Sequence, residues 1–157
     1  MKKKALLLLL LVTPFLLISL FNHPSIDDYW NANTILSHGR LGAVAYSFNH
    51  FSGRYFSTFL MSMLNTLPQG ETWIFKLFPI FICLASIGVF YYFVKKIFNP
   101  ADNWKTLVCS LMLTLLHILN MRVLYEGLYW MSATITYQIT ILNYIALTAL
   151  IVSYINR

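Results

Sequence analysis

The stretch TWIFKLFPIFICLASIGVFYYFVKK, residues 72–96, decides the class of this chain. From Thr72 to Val94 its only charge is Lys76, and the adjacent pair Lys95-Lys96 closes it. An apolar run of this length makes a helix long enough to cross the ~30 Å hydrocarbon core of a bilayer at about 1.5 Å per residue. Three more runs repeat the pattern: 5–21 behind Lys2-Lys3-Lys4, 104–121 between Trp104-Lys105 and Arg122, and 137–155 ahead of Asn156-Arg157. Composition agrees, with 59% of residues hydrophobic, 17% aromatic and 10% charged, where soluble domains carry about 25% charged residues. The expected fold is an all-α polytopic membrane protein of about four transmembrane helices, forming one membrane domain over 1–157.

The net charge of +6 does not indicate a nucleic-acid partner. The lysine clusters flank apolar runs, where the positive-inside rule places them, so the partner they indicate is the bilayer. Cys83 and Cys109 lie inside apolar stretches, where cysteine behaves as a small hydrophobe, and no disulfide framework or metal site is expected of them. The first run has the basic start and leucine core of a signal peptide but lacks a small-x-small cleavage pattern after Leu20, which favours a retained helix. Pro14 is placed to kink it, a defect that helix bundles tolerate.

The run 55–67 is shorter than the rest. Thirteen residues of helix reach only ~20 Å, so this segment is expected to lie in the interface or re-enter, keeping Lys95-Lys96 on the cytoplasmic side with Lys2–Lys4. Both termini are then cytoplasmic, in the cell membrane, and two loops, 22–71 and 122–136, share the outer face. In the long loop Leu41, Val44, Ala45, Phe48 and Phe51 recur at helical spacing, which predicts an amphipathic helix on the membrane surface. Gly39 and Gly42 are expected to break the chain before it, and Asp27-Asp28 to cap an earlier short helix reaching Ser37.

These loops gather most of the remaining ionisable groups: Asp27, Asp28, His38, Arg40, His50, Arg54 and Glu71 in the first, Arg122 and Glu126 in the second. Two adjacent carboxylates beside lipid repel each other, but they can accept a proton or hold a divalent cation. Arginine grips phosphate oxygens through its planar fork. Tyr29, Trp30, Tyr129 and Trp130 can stack on a sugar ring. Each feature also has an ordinary structural reading. Asp27-Asp28 can be a solvated cap, Arg54 and Arg122 can snorkel to headgroups, and Tyr129-Trp130 can belong to an interfacial aromatic belt. His38 and His50 read as surface residues. His117 reads as a helix-end side chain bonded to a nearby carbonyl. Glu126 needs a partner, which Arg122 four residues earlier could supply.

The order of these pieces resembles the amino-terminal part of GT-C-type bacterial membrane glycosyltransferases, in a poorly characterised branch. The resemblance is carried by Asp27-Asp28-Tyr29, Gly53-Arg54-Tyr55 and the segment from Glu126-Gly127 through Tyr129-Trp130 to Tyr137. It implies a polyprenyl-phosphate-linked sugar as donor and an acceptor on the outer face. Asp27 is implied as catalytic acid–base or metal-binding residue, with Asp28 assisting and Arg54 contacting the donor phosphate. Arg122, Glu126, Tyr129 and Trp130 complete the candidate substrate-binding set. Some branches of the family use a divalent metal ion and others none. Full members have many more spans, so the chain is expected to be the front part of a longer protein or to work with a membrane partner that supplies the missing helices. The alternative is a non-catalytic membrane subunit that binds a partner or lipid headgroups through the same loops.

Overall fold

The computed structural model describes residues 2–51, 53–98 and 100–155, all of whose regular elements are helical. The expectation that Asn156-Arg157 flank the last run falls outside these residues. Six helices follow in order: α1 Lys2–Ser19, α2 Ile26–His50, α3 Tyr55–Leu64, α4 Trp73–Phe98, α5 Asn103–Leu119 and α6 Met131–Ile155. Two of them, α4 and α6, are long and apolar enough to cross a membrane.

α4 is the centre of the bundle and packs against α1, α5 and α6. It continues past the apolar run through Lys95-Lys96 to Phe98, because nothing breaks the helix before Asn99-Pro100. Lys95 then donates to the Pro100 carbonyl at 3.2 Å and to Asn103 Oδ1 at 3.1 Å. Asp102 caps α5 by accepting the Trp104 amide at 2.8 Å. The Lys2 ammonium sits 5.7 Å from the centre of the Trp104 ring. The start of α1, the end of α4 and the start of α5 therefore share one basic end of the bundle.

The opposite end is fixed by Asn22. Its amide donates to the Phe75 carbonyl at 2.8 Å and the Tyr129 carbonyl at 2.7 Å. One buried side chain thus ties the exit of α1, the start of α4 and the approach to α6. Between the two ends the core is apolar, built on Val12, Phe75, Phe78, Ile82, Ile118 and Ile135. Small hydroxyl residues fill the closest helix approaches. Ser86, Thr106, Ser110 and Thr114 are buried and return their protons to carbonyls of their own helices, as in helix interfaces packed by small side chains.

α2 and α3 pack on each other and on the first turns of α6. α3 is ten residues long, about 15 Å, half of a hydrocarbon core. α2 is broken at Gly39, whose φ of 72° and ψ of 168° lie in a region essentially restricted to glycine. Gly42, expected to share in that break, stays helical. The second half of α2 leaves Leu41, Phe48 and Phe51 exposed, the apolar face that the spacing predicts. The break turns the chain so that Arg40 reaches the end of α3. Its guanidinium donates to the Ser62 carbonyl, to the Met63 carbonyl at 3.1 Å and to Gln69 Oε1 at 3.2 Å. A cation on the last carbonyls of a helix also complements its dipole.

α6 starts at Met131, before the apolar run that begins near Tyr137. Hydropathy marks the part of a helix that lipid can cover, whereas Ser132 to Thr136 remain helical inside the protein. A π-type turn over Thr134–Gln138 widens the helix there, and such turns are frequent at functional sites.

Candidate functional site

Asp27 and Asp28 are neighbours in sequence with different surroundings. Both fall in the first turn of α2, where carboxylates face the positive end of the helix. Asp28 is fully buried, and its Oδ2 accepts the Ser25 amide at 2.7 Å, the return half of a capping box. Burial raises its acid from 3.8 to about 6. The Ser25 amide opposes that rise, the charge of Asp27 adds to it, and the Ser132 amide draws it down a little. Its Oδ1 is left without a hydrogen-bond partner. Asp27 is exposed and stands on the wall of a cavity.

That cavity, of about 370 Å³, is built by α2, α3 and the first turns of α6. It brings Asp27 together with Arg54, from later in the long loop, and with Trp30 and Ser47. Ser57 and Thr58 from α3 and Ser132 and Thr136 from α6 add hydroxyls, and Phe51 and Met61 add apolar surface. Ser57 and Thr58 donate to the Arg54 carbonyl at 3.1 and 2.9 Å, and Thr136 donates to the Ser132 carbonyl at 3.0 Å. With their protons committed to the backbone, these three oxygens present lone pairs to a ligand. Ser47 is 4% exposed and its hydroxyl has no partner. Trp30 is held edge-on to Phe51 with ring centres 4.7 Å apart. The Arg54 guanidinium lies 5.9 Å from the centre of the Tyr137 ring.

The floor is a buried amide network. Asn31, on the cavity wall and 1% exposed, donates to Ser62 Oγ at 3.2 Å. Asn65 donates to Asn31 Oδ1 at 3.1 Å and to the Asp28 carbonyl at 2.8 Å, while its own oxygen accepts the Leu67 amide at 3.0 Å. Buried amides whose groups are satisfied hold one geometry. This network fixes the turn of α2 that carries Asp27.

Two further cavities adjoin the first. A groove of about 360 Å³ shares Arg54 and runs past Tyr55 and Phe56 to Ile135 and Ile139 of α6. Another, of about 500 Å³, shares Asp27 and is lined by Tyr29, Tyr125 and Trp130. Ser25 Oγ is hydrogen-bonded to the Tyr125 hydroxyl at its edge.

Not every expected residue comes to this site. Tyr129 is not a stacking platform: its ring is buried in the core and its hydroxyl donates to the Phe15 carbonyl at 2.9 Å. Arg122 and Glu126 line a separate cavity between α5 and α6 and do not pair, no ion pair closing within 4.0 Å among the described residues. His117 bonds Gln138 Oε1 at 2.8 Å, across two helices, rather than a local carbonyl. His38 and His50 stack on either face of Tyr46, with ring centres 4.7 and 4.4 Å apart. Among the described residues no group of three or more His, Cys, Asp or Glu stands together. A divalent cation at Asp27 would have a single carboxylate and nearby hydroxyls. Magnesium tolerates such a set when waters and substrate phosphate complete its shell. The hydroxyls and the amide network carry no sequence signal, since serine, threonine and asparagine also read as solvated loop. No protein-family model, curated protein or solved structure matches the chain.

Proposed function

We propose that the chain acts in a GT-C-type membrane glycosyltransferase, transferring a sugar from a polyprenyl-phosphate donor to an acceptor hydroxyl at the outer face of the cell membrane. One observation carries this reading: Asp27 and Arg54, 27 positions apart in the long loop, share one cavity with four backbone-anchored or buried hydroxyls and a tryptophan. That set suits a sugar bearing a phosphate. Arg54 holds the phosphate oxygens, hydroxyls accept from the sugar, and Trp30 covers a ring face. The groove along α6 that begins at Arg54 suits the first isoprene units, and the aromatic cavity on the other side of Asp27 suits the acceptor.

In the reaction, the acceptor oxygen attacks the anomeric carbon and Asp27 takes its proton as general base. The bond from that carbon to the phosphate oxygen breaks, and Arg54 stabilises the charge that develops on the departing polyprenyl phosphate. A divalent ion at Asp27 would supply further charge to the same phosphate. Asp28 acts through position, by fixing the helix start that presents Asp27.

In this reading α1, α4, α5 and α6 are four spans, with both termini in the cytoplasm and α2 and α3 outside. The shared basic end, where Lys2 and Lys95 meet the start of α5, agrees with the positive-inside rule. A cysteine placed near Gly70 should react with an impermeant thiol reagent from outside; protection there, with Lys95-Lys96 accessible from outside, would overturn the reading that 55–67 does not cross. The alternative is a non-catalytic membrane subunit that binds a partner or lipid headgroups through the same outer loops, where Tyr29, Leu41, Phe48 and Tyr55 are exposed.

The test is transfer of labelled sugar from polyprenyl phosphate in membranes containing the protein with its native partners. Arg54→Gln should raise the KM for donor by about tenfold or more, the loss of a charge-assisted contact, at unchanged abundance. An unaltered KM would remove Arg54 from the donor site.

A further inference from the structure

The cleft between α5 and α6 has a volume of about 640 Å³ and shares neither Asp27 nor Arg54. Both helices pack on α4, whose Phe90 lines the cleft. The His117–Gln138 hydrogen bond crosses it, and Gln138 is 6% exposed. The connection 120–127 closes over that bond. A Cβ at Gly127 would stand 2.6 Å from Met121 Sδ and 3.3 Å from Gln138 Nε2, so the roof lies against both side chains. On the basic-end side of the bridge the walls are Leu113, Leu116 and Ile141. On the other side are Arg122 and Glu126, both exposed and without an ion pair within 4.0 Å among the described residues.

A cleft between two membrane-facing helices, with apolar walls on one side of a polar bridge and one charge of each sign at its mouth on the other, has the polarity pattern of a phospholipid. We infer that it binds a membrane lipid with a zwitterionic headgroup bearing a primary ammonium, its phosphate on Arg122, its ammonium on Glu126 and its acyl chains along Leu113, Leu116 and Ile141. An anionic headgroup would satisfy Arg122 but set its charge beside Glu126. A quaternary ammonium could not donate a hydrogen bond to the carboxylate. The inference rests on the membrane placement of the helices and not on the transferase reading.

The test uses the whole chain, purified in detergent and offered equal amounts of phosphatidylethanolamine and phosphatidylglycerol, with retained lipid counted by native mass spectrometry. Phosphatidylethanolamine should be retained in excess, and Arg122→Gln and Glu126→Gln should each lower its retention about tenfold, the loss of one charge-assisted hydrogen bond. Glu126→Gln should also raise retention of phosphatidylglycerol. Leu116→Trp, which fills the apolar wall and leaves both charges, should reduce retention of either lipid. Asp27→Asn should retain lipid as the parent does, so the two proposals fail separately. Equal retention of the two lipids, parent-like retention by both charge variants, or full displacement by water-soluble glycerophosphoethanolamine would each overturn the inference. So would a co-purifying protein that occupies the cleft to the exclusion of lipid.

Discussion

The four-helix bundle and the α2–α3 layer are held by opposite means. In the bundle, side chains such as Phe75, Phe78 and Ile82 are buried in one apolar cluster, and the polar groups inside it mostly bond their own helices. In the layer, α2 and α3 are joined by Asn31, Arg40, Ser62 and Asn65, so polar side chains do the work that leucine does below. The contrast follows from what each must do. The long apolar helices of the bundle meet through apolar side chains that pack by fit. A layer that presents a polar cavity must leave polar groups at its surface, and it anchors them by satisfying the ones behind.

The comparison breaks most visibly at Phe75. Its ring is fully buried where α1, α4 and the approach to α6 meet, and Phe75→Ala should cost about 3–5 kcal/mol. Thermal unfolding in detergent should show the entire chain destabilised. Asn65→Ala should cost less, about 2–3 kcal/mol, because it strands the Asp28 carbonyl, Asn31 Oδ1 and the Leu67 amide. Its effect should be local. Amide exchange should quicken in α2 and α3 and stay slow in α4; uniform quickening would show that the layer and the bundle are one cooperative unit.

A third effect sharpens the comparison through pH. Asp28 has its acid raised from 3.8 to about 6 by burial. Between those values the folded chain binds more proton than the unfolded one, so stability is highest below pH 3.8 and falls as pH rises through about 6. The loss over that window is about 3 kcal/mol. Asp28→Asn should flatten it, and an unchanged profile of melting temperature against pH would assign the dependence to another group.

The same contrast explains what the sequence could tell. Long apolar runs report helices directly, so α4 and the far part of α6 are legible from hydropathy, and the left-handed break at Gly39 is legible from glycine ahead of a periodic stretch. The first turns of α6 are not, because Ser132, Thr134 and Thr136 look like loop until α2 and α3 cover them. At the site, the charges could be read but not their grouping. Arg54 and Arg122 are alike as residues; only the fold sends one to Asp27 and the other to the α5–α6 cleft. Nor does the sequence separate two adjacent aspartates, one on a cavity wall and one serving as a buried cap, since a single helical step between them sets which faces inward.

That separation is the centre of the account, and transfer assays on Asp27→Asn and Asp28→Asn in parallel test it most directly. Both variants should insert and accumulate like the parent. Asp27→Asn should abolish sugar transfer, while Asp28→Asn, which keeps a side chain able to hold the helix start, should retain measurable transfer. Parent-like activity in Asp27→Asn, or loss confined to Asp28→Asn, would contradict the assignment of the chemistry to the cavity shared with Arg54.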